Sequence, residues 1–364
     1  MIRHRLQASF AVLVLVAATT AVVGPLASTA GAATFTVTNN HDSGAGSLRQ
    51  ALLDAAAANG PDTVSVGAGL GTITLSSPIS WNASGTGDQS VTITGNGVIV
   101  NANGQNGGLL DLGGTGVSIS NMTIEGVGGS ATGDTGALMS EGGNVSASNC
   151  TFTNNHVHST DGDTGVILSE GLPLNVSGCK ITDNTVTSGD EDGGIILSEG
   201  GNVTLTSATV TGNTTTAAGD GATVLSEGGD VIFATSTVSG NTVTADGDVG
   251  GGLDSEGGSV TFRSATVNCN TGSSGEGDGA GGVLSEGGDF TANGSSIGGN
   301  RVTTSGEKDN QLLVIGGTKT LGTTTVSDDQ TVCAQQPTTT TTTAPATTTT
   351  AAAQAVSATP AFTG

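Results

Sequence analysis

Tyrosine is absent, tryptophan occurs once and phenylalanine seven times in 364 residues. That composition excludes a core built on aromatic packing and a sugar cleft walled by stacked rings. Cationic side chains are almost as scarce: 8 Lys and Arg face 31 Asp and Glu, a formal net charge of −23. Between Asp134 and Asp289 the chain has 21 acids and only two bases, Lys180 and Arg263. Nucleic acid is therefore not expected as a partner, because binding it requires Lys and Arg to displace counterions from phosphates. Cations, basic proteins or a repulsive, soluble surface remain. Helical periodicity of apolar residues is also missing over most of the chain. The one long hydrophobic run, Phe10 to Val23, is short for a bilayer-spanning helix, which needs about 20 residues. As given, the chain is not expected to be an integral membrane protein.

What is present begins with that run. Arg3 and Arg5 precede it and Ala30-Gly31-Ala32 follows it, the charge, apolar and small-residue order of a cleavable export signal. At the other end, residues 337–364 are almost entirely Thr, Ala and Pro, a composition that cannot bury enough apolar surface to fold. The expected organisation is an export signal at 1–32, an N-terminal cap with irregular first coils at 33–133, six repeats at 134–303, a C-terminal coil at 304–336 and an extended stalk at 337–364. Export permits disulfides among Cys150, Cys179, Cys269 and Cys333. Cys150 and Cys179 occupy matched repeat positions and are read either as small buried thiols or as a bridge between adjacent coils. Cys269 with Cys333 would staple the last coil to the body.

The repeats announce themselves through Ser-Glu-Gly, which recurs at Ser140, Ser169, Ser198, Ser226, Ser255 and Ser285, every 28–30 residues. Within each repeat, short Val- and Thr-rich stretches such as Ile195-Ile196-Leu197, Val203-Thr204-Leu205 and Thr209-Val210 are separated by Gly, Asp and Asn. Strands this short cannot bury a face alone. Stacked in register at about 4.8 Å per coil, they bury a continuous apolar column. The fold expected is all-β, a single-stranded right-handed parallel β-helix, with Ser47 to Ala55 forming a short capping helix over its open first coil.

Stacking turns repeat positions into rows. Asn155, Asn184, Asn213, Asn241, Asn270 and Asn300 are expected to form an inward amide ladder at a turn, where Asn also tolerates left-handed backbone. Strict alternation from an inward row Leu138, Ile167, Ile196, Val224, Leu253 and Val283 would place Met139, Leu168, Leu197, Leu225 and Leu284 outward, an exposed apolar ladder and candidate partner surface. Asp254 stands in that outward row. Glu141, Glu170, Glu199, Glu227, Glu256 and Glu286 form one acidic row; Asp134, Asp163, Asp192, Asp220, Asp248 and Asp278 form another. Like charges about 5 Å apart repel by about 1 kcal/mol per neighbour in water. Three outcomes are open: splaying into solvent, upward titration, or bridging by Ca²⁺ through the oxygen ligands it prefers.

The segment Asp42-Ser43-Gly44-Ala45-Gly46-Ser47-Leu48-Arg49-Gln50-Ala51-Leu52 resembles the N-terminal cap of secreted bacterial β-helix proteins marked by a C-S-L-R-E-A type motif, with Gly46 and Gln50 where that motif has Cys and Glu. The repeats resemble those of polymorphic outer-membrane proteins and other pectate-lyase-like β-helices. They pair a Gly-Gly-aliphatic strand start (Gly193-Gly194-Ile195) with an F-x-x-N turn (Phe152 to Asn155). The resemblance implies the fold and leaves activity open. Pectate lyases of that superfamily use Ca²⁺ with an Arg or Lys base, and its polygalacturonases use clustered Asp with His and an Arg-Lys pair. Lys180 and Arg263 lie about three coils apart, and His156 and His158 share one turn without a basic companion, so neither set is recognised. Tyr is absent and Trp81 stands alone in an early coil, so sugar-stacking platforms are not expected. The expected function is a non-catalytic, exported surface protein, adhesin-like or structural in the cell envelope, binding an extracellular protein or glycan; the alternative is a polysaccharide lyase or hydrolase. The tail resembles actinobacterial wall-spanning stalks, and Pro360-Ala361-Phe362-Thr363-Gly364 is similar to an L-A-x-T-G sortase signal. Cell-wall attachment and release are the two fates this leaves open.

Overall fold

The computed structural model describes residues 31–82, 90–105, 108–113 and 116–333. The body of the export signal and the Thr-rich stalk lie outside the described residues. Each repeat contributes four strands, all parallel to their neighbours one coil away. In one repeat these are Gly193–Glu199, Val203–Thr206, Thr209–Thr211 and Thr214–Ala217. Three stacks result: an 11-stranded sheet of first strands, a 19-stranded sheet holding the second and third, and a 6-stranded sheet of fourth strands. The fourth strand is the faintest in the sequence because it offers at most one large aliphatic residue, Val157, Val186, Val243 or Val302, and none in Thr214–Ala217 or Thr271–Ser274. Register is maintained residue for residue over most of the stack, for example Leu168 on Leu197 and Glu170 on Glu199, with shifts between Thr94 and Val98 and between Ala222 and Val224.

The interior is a column of aliphatic residues and stacked Phe. Phe152, Phe233, Phe262 and Phe290 are fully buried, and the rings of Phe233 and Phe262 stack with centroids 4.8 Å apart. Burying each such side chain stabilises the fold by about 1.5–3 kcal/mol. At the corner between the second and third sheets, Asn155, Asn184, Asn213, Asn241, Asn270 and Asn300 form one buried row. The Nδ2 of Asn213 donates to Asn241 Oδ1 at 2.9 Å and to the Ile181 carbonyl at 2.9 Å. Gln311 terminates the row, its Oε1 accepting from Asn300 Nδ2 at 2.9 Å. The left-handed backbone does not fall on the ladder asparagines themselves. It falls on the residue before each, Asn154, Asp183, Gly212, Gly240, Cys269 and Gly299.

The cap is the helix Leu48–Ala57, whose N-cap Ser47 Oγ accepts from the Gln50 N–H at 3.1 Å. Leu48, Ala51, Leu52 and Ala55 cover the end of the column. Arg49 ties the preceding loop to the next coil: it pairs with Asp42 at 2.9 Å and donates to the carbonyls of Ser77 and Pro78, each at 2.7 Å. At the far end a disulfide joins Cys269 to Cys333, 64 residues apart. Cys150 and Cys179 are free, buried thiols, with the Cys150 N–H donating to Cys179 Sγ at 3.3 Å.

A candidate functional site: the carboxyl groove

The first strand of each repeat is not straight. In an extended strand, residues two apart rise by about 6.6 Å. Yet a Cβ added at Gly165 would lie 2.8 Å from the Ile167 carbonyl oxygen, and one at Gly194 would lie 2.9 Å from that of Ile196. The chain turns sharply there, so the two residues that follow, Ile195 and Ile196, both enter the core. Small residues, Gly136, Gly165, Gly194, Ala222, Gly250 and Ala280, stack at the inside of this bend. Facing them from the other arm is the row Met139, Leu168, Leu197 and Leu225, which packs with Ala222 as a cluster separate from the main core.

This overturns the expectation of an exposed apolar ladder. Leu168, Leu197, Leu225 and Leu284 are fully buried, and Met139 is 6% exposed. The row does lie outside the central column, but the bend folds it into a groove and the two acidic rows close over it. The aspartates precede the bend and the glutamates end the second arm, so the bend brings them together. Three of the glutamates meet the aspartate of the preceding coil through a carboxyl–carboxyl hydrogen bond, in the pairs Glu199–Asp163, Glu227–Asp192 and Glu256–Asp220.

Each row has its own local cause. After every Ser-Glu pair the chain must take a positive φ, +79° at Gly200 and +91° at Gly228, which glycine adopts without steric cost. The Ser198 hydroxyl donates across that turn to the Gly201 carbonyl at 3.1 Å. The aspartates form a second ladder, with Asp163 Oδ1 accepting the Asp192 N–H at 2.9 Å and Asp192 Oδ1 accepting that of Asp220 at 2.6 Å. One oxygen of each linking aspartate is thus committed to the backbone of the next coil.

Electrostatically the groove is one-sided. Burial first, then the surrounding carboxylates, push Glu170 up to about 7, Glu199 and Glu227 to about 8, and Glu256 and Glu286 to about 7. Burial also raises Asp192, Asp220 and Asp248 above the usual carboxylate range. Of the three outcomes open from the sequence, upward titration with shared protons is the one this geometry favours. The Oε1 atoms of Glu170, Glu199, Glu227 and Glu256 are buried without a hydrogen-bond partner. At the N-terminal end the groove opens into a cavity of about 200 Å³ lined by Asp111, Asp134, Met139 and Glu141, and there Glu141 is exposed. Among the described residues, no three His, Cys, Asp or Glu side chains already converge as a metal site.

One coil departs from the pattern. Asp254 takes the place of a leucine between Leu225 and Leu284. It is fully buried, and neither carboxyl oxygen has a partner. Burial, aided by Glu256, Glu286, Asp220 and Asp248, raises its pKa far above normal. Its strand, Val249–Glu256, contains one extra residue, and the register with the preceding coil shifts between Ala222 and Val224.

The remaining singled-out residues do not join the groove. Lys180 and Arg263 lie on strands of the 19-stranded sheet. His156 and His158 lie on a strand, His156–Ser159, rather than in a turn, and line an open hollow of about 380 Å³ with Thr185 and Thr187. Trp81 is 2% exposed, so its ring offers no stacking platform. Among the described residues, no helix is long and apolar enough to cross a membrane.

Similarity to known proteins enters at the level of the fold. Among curated proteins, none matches the chain. Among solved structures, the A-module of a mannuronan C-5 epimerase from Azotobacter vinelandii matches with 12% identity and a TM-score of 0.25, over 81% of this chain and 100% of that one. At that distance the match does not bear on function. The family model described as a right handed beta helix region matches residues 79–270, more than half of the chain, and the chain belongs to that family.

Proposed function

We propose that this chain is a non-catalytic, exported β-helix of the cell surface, an adhesin-like or envelope-structural module that meets an extracellular protein or glycan. The observation that carries this reading is the repetition of the groove. The acidic rows recur coil after coil and form equivalent carboxyl pairs at Glu199, Glu227 and Glu256, with no base among the groove-lining residues, as suits an extended display surface rather than a single reaction centre. Export is supported by the charge and apolar order of residues 1–32 and by the Cys269–Cys333 disulfide, which fits an oxidising compartment. The Arg49 bridges from the capping segment to the next coil support placing the chain with the C-S-L-R-E-A-capped group.

The competing class, a polysaccharide lyase or hydrolase, has one feature in its favour: paired carboxyls with raised pKa values. Glycosidase carboxyls, however, stand about 5–9.5 Å apart so that a glycosidic bond fits between them. Here the pairs are hydrogen-bonded to each other and leave no such gap. The test is to incubate the purified chain with acidic and neutral polysaccharides and follow new reducing ends and unsaturated products, while fractionating the producing cells. Surface or extracellular recovery without turnover is expected. Turnover lost in a Glu227→Gln variant, or retention in the cytoplasm, would overturn the proposal.

A further inference from the structure

We propose that the coil carrying Asp254 holds a hard divalent cation, Ca²⁺ in preference to Mg²⁺, inside the carboxyl groove. The acidic rows alone do not single out a site, since they run along every repeat. Asp254 does. It is a fully buried carboxyl with both oxygens unpartnered, set into an otherwise aliphatic row. A buried carboxyl without a donor is costly in either protonation state, because the neutral form also leaves an O–H unsatisfied. A bound cation removes that cost.

The groups around Asp254 are those a cation would need. Glu256 and Glu286 end the same arms of its own and the following coil, and Asp220 and Asp248 face it from the other rail. Glu256 Oε1 is likewise buried without a partner. The nearest base on this sheet is Lys308, whose strand pairs with Gly279–Ala280, two coils from Asp254; its ammonium donates to the Thr304 carbonyl at 3.0 Å. The extra residue in the strand coincides with this coil: Gly251 and Gly252 span the bend where the preceding coil has Thr223 alone. Such bulges re-aim side chains and collect beside functional sites.

The carboxyls present do not yet converge as metal ligands, so binding requires Glu256 and Glu286 to swing inward about their rotatable side-chain bonds. In doing so Glu256 gives up its hydrogen bond to Asp220. Ca²⁺ is preferred because it accepts irregular sets of six to eight oxygens, whereas Mg²⁺ demands near-octahedral geometry and retains its waters.

The test is calorimetric titration of the full chain with Ca²⁺ alone and with Mg²⁺ alone. A saturable site is expected, with Ca²⁺ tighter than Mg²⁺. Asp254→Leu, which restores the aliphatic row, should abolish the site, Asp254→Asn should weaken it at least tenfold, and Glu141→Gln at the open end should leave it intact. Absence of saturable uptake by the wild type would overturn the proposal, as would equal binding by Asp254→Leu or a thermal shift reproduced by NaCl of matched ionic strength. If Asp254→Leu fails to fold, the double variant Glu256→Gln with Glu286→Gln takes its place, with the same loss expected. The proposal does not depend on the surface-module reading, which is tested by turnover and fractionation.

Discussion

Raising the pH should weaken this fold, the reverse of ordinary acid denaturation. Glu170, Glu199, Glu227, Glu256 and Glu286 rise from an ordinary 4.5 to about 7 or 8 in the folded chain. Between those values the native state binds more protons than the unfolded one, so stability falls as pH rises. The contribution is fully present below about pH 4.5, is lost as pH climbs through about 7 to 8, and is flat above. One pKa unit corresponds to about 1.4 kcal/mol. Solvent reaches part of every glutamate and three of the five share a proton with an aspartate, so about 1 kcal/mol per glutamate is a reasonable discounted figure. Five such groups give a loss on the order of 5 kcal/mol, comparable with the whole stability of many domains. Urea midpoints measured from about pH 5 to about pH 8 should therefore drop steadily. Glu199→Gln with Glu227→Gln should flatten the profile, because a neutral amide keeps a donor for Asp163 and Asp192 at every pH. A midpoint that is level or rises over that interval would refute the shared-proton account of the groove.

Three further outcomes follow from other parts of the molecule. Asn213→Ala removes a side chain that donates to the Ile181 carbonyl and Asn241 and accepts from Asn184, and leaving those buried partners unsatisfied should cost about 3 kcal/mol in a denaturant melt; a loss below about 1 kcal/mol would contradict the ladder. Reducing Cys269–Cys333 opens a loop of 64 residues, about 4 kcal/mol of chain entropy, and should expose the last coils to limited proteolysis before the repeats; unchanged cleavage would show that the bridge contributes little. Cys150 and Cys179 are buried free thiols, so a thiol reagent should detect two groups after unfolding and almost none before, whereas no reaction after unfolding would indicate a bridge between them.

The repeat made much of this architecture legible. A marker every 28–30 residues places equivalent residues one above another, so the Asn ladder and the two acidic rows could be written down before any geometry was known. The groove could not. Assigning Leu168 and Leu197 to the outer surface assumed a straight strand with strict alternation, and the bend at Val166 and Ile195 breaks that assumption. Gly165 and Gly194 were visible as strand-start glycines, but nothing in the spacing says that a Cβ there would strike the carbonyl two residues on. The same bend joins Glu227 to Asp192, 35 positions apart in the chain, a pairing that row-by-row reading separates. Asp254 was noticed as an odd member of its row. Strict alternation would put it in solvent with the rest of its row, and only its burial without a partner makes it a candidate site.

The offset of the carboxyl pairs has a consequence for how the molecule can change in length. Glu199, Glu227 and Glu256 each bond to the aspartate of the coil before their own, so the pairs act as rungs between coils rather than locks within one. Excising residues 193–220, one 28-residue unit, would join Asp192 directly to Gly221. Asp163, now one coil below Glu227, would take over the partner that Asp192 held, just as the Asn row would close from Asn184 to Asn241. Every ladder loses one step and none acquires a loose end. Duplication works by the same rule in reverse. The groove can therefore lengthen or shorten only in whole coils, and recombination between repeats would yield folded chains that differ in reach while keeping the same surface chemistry.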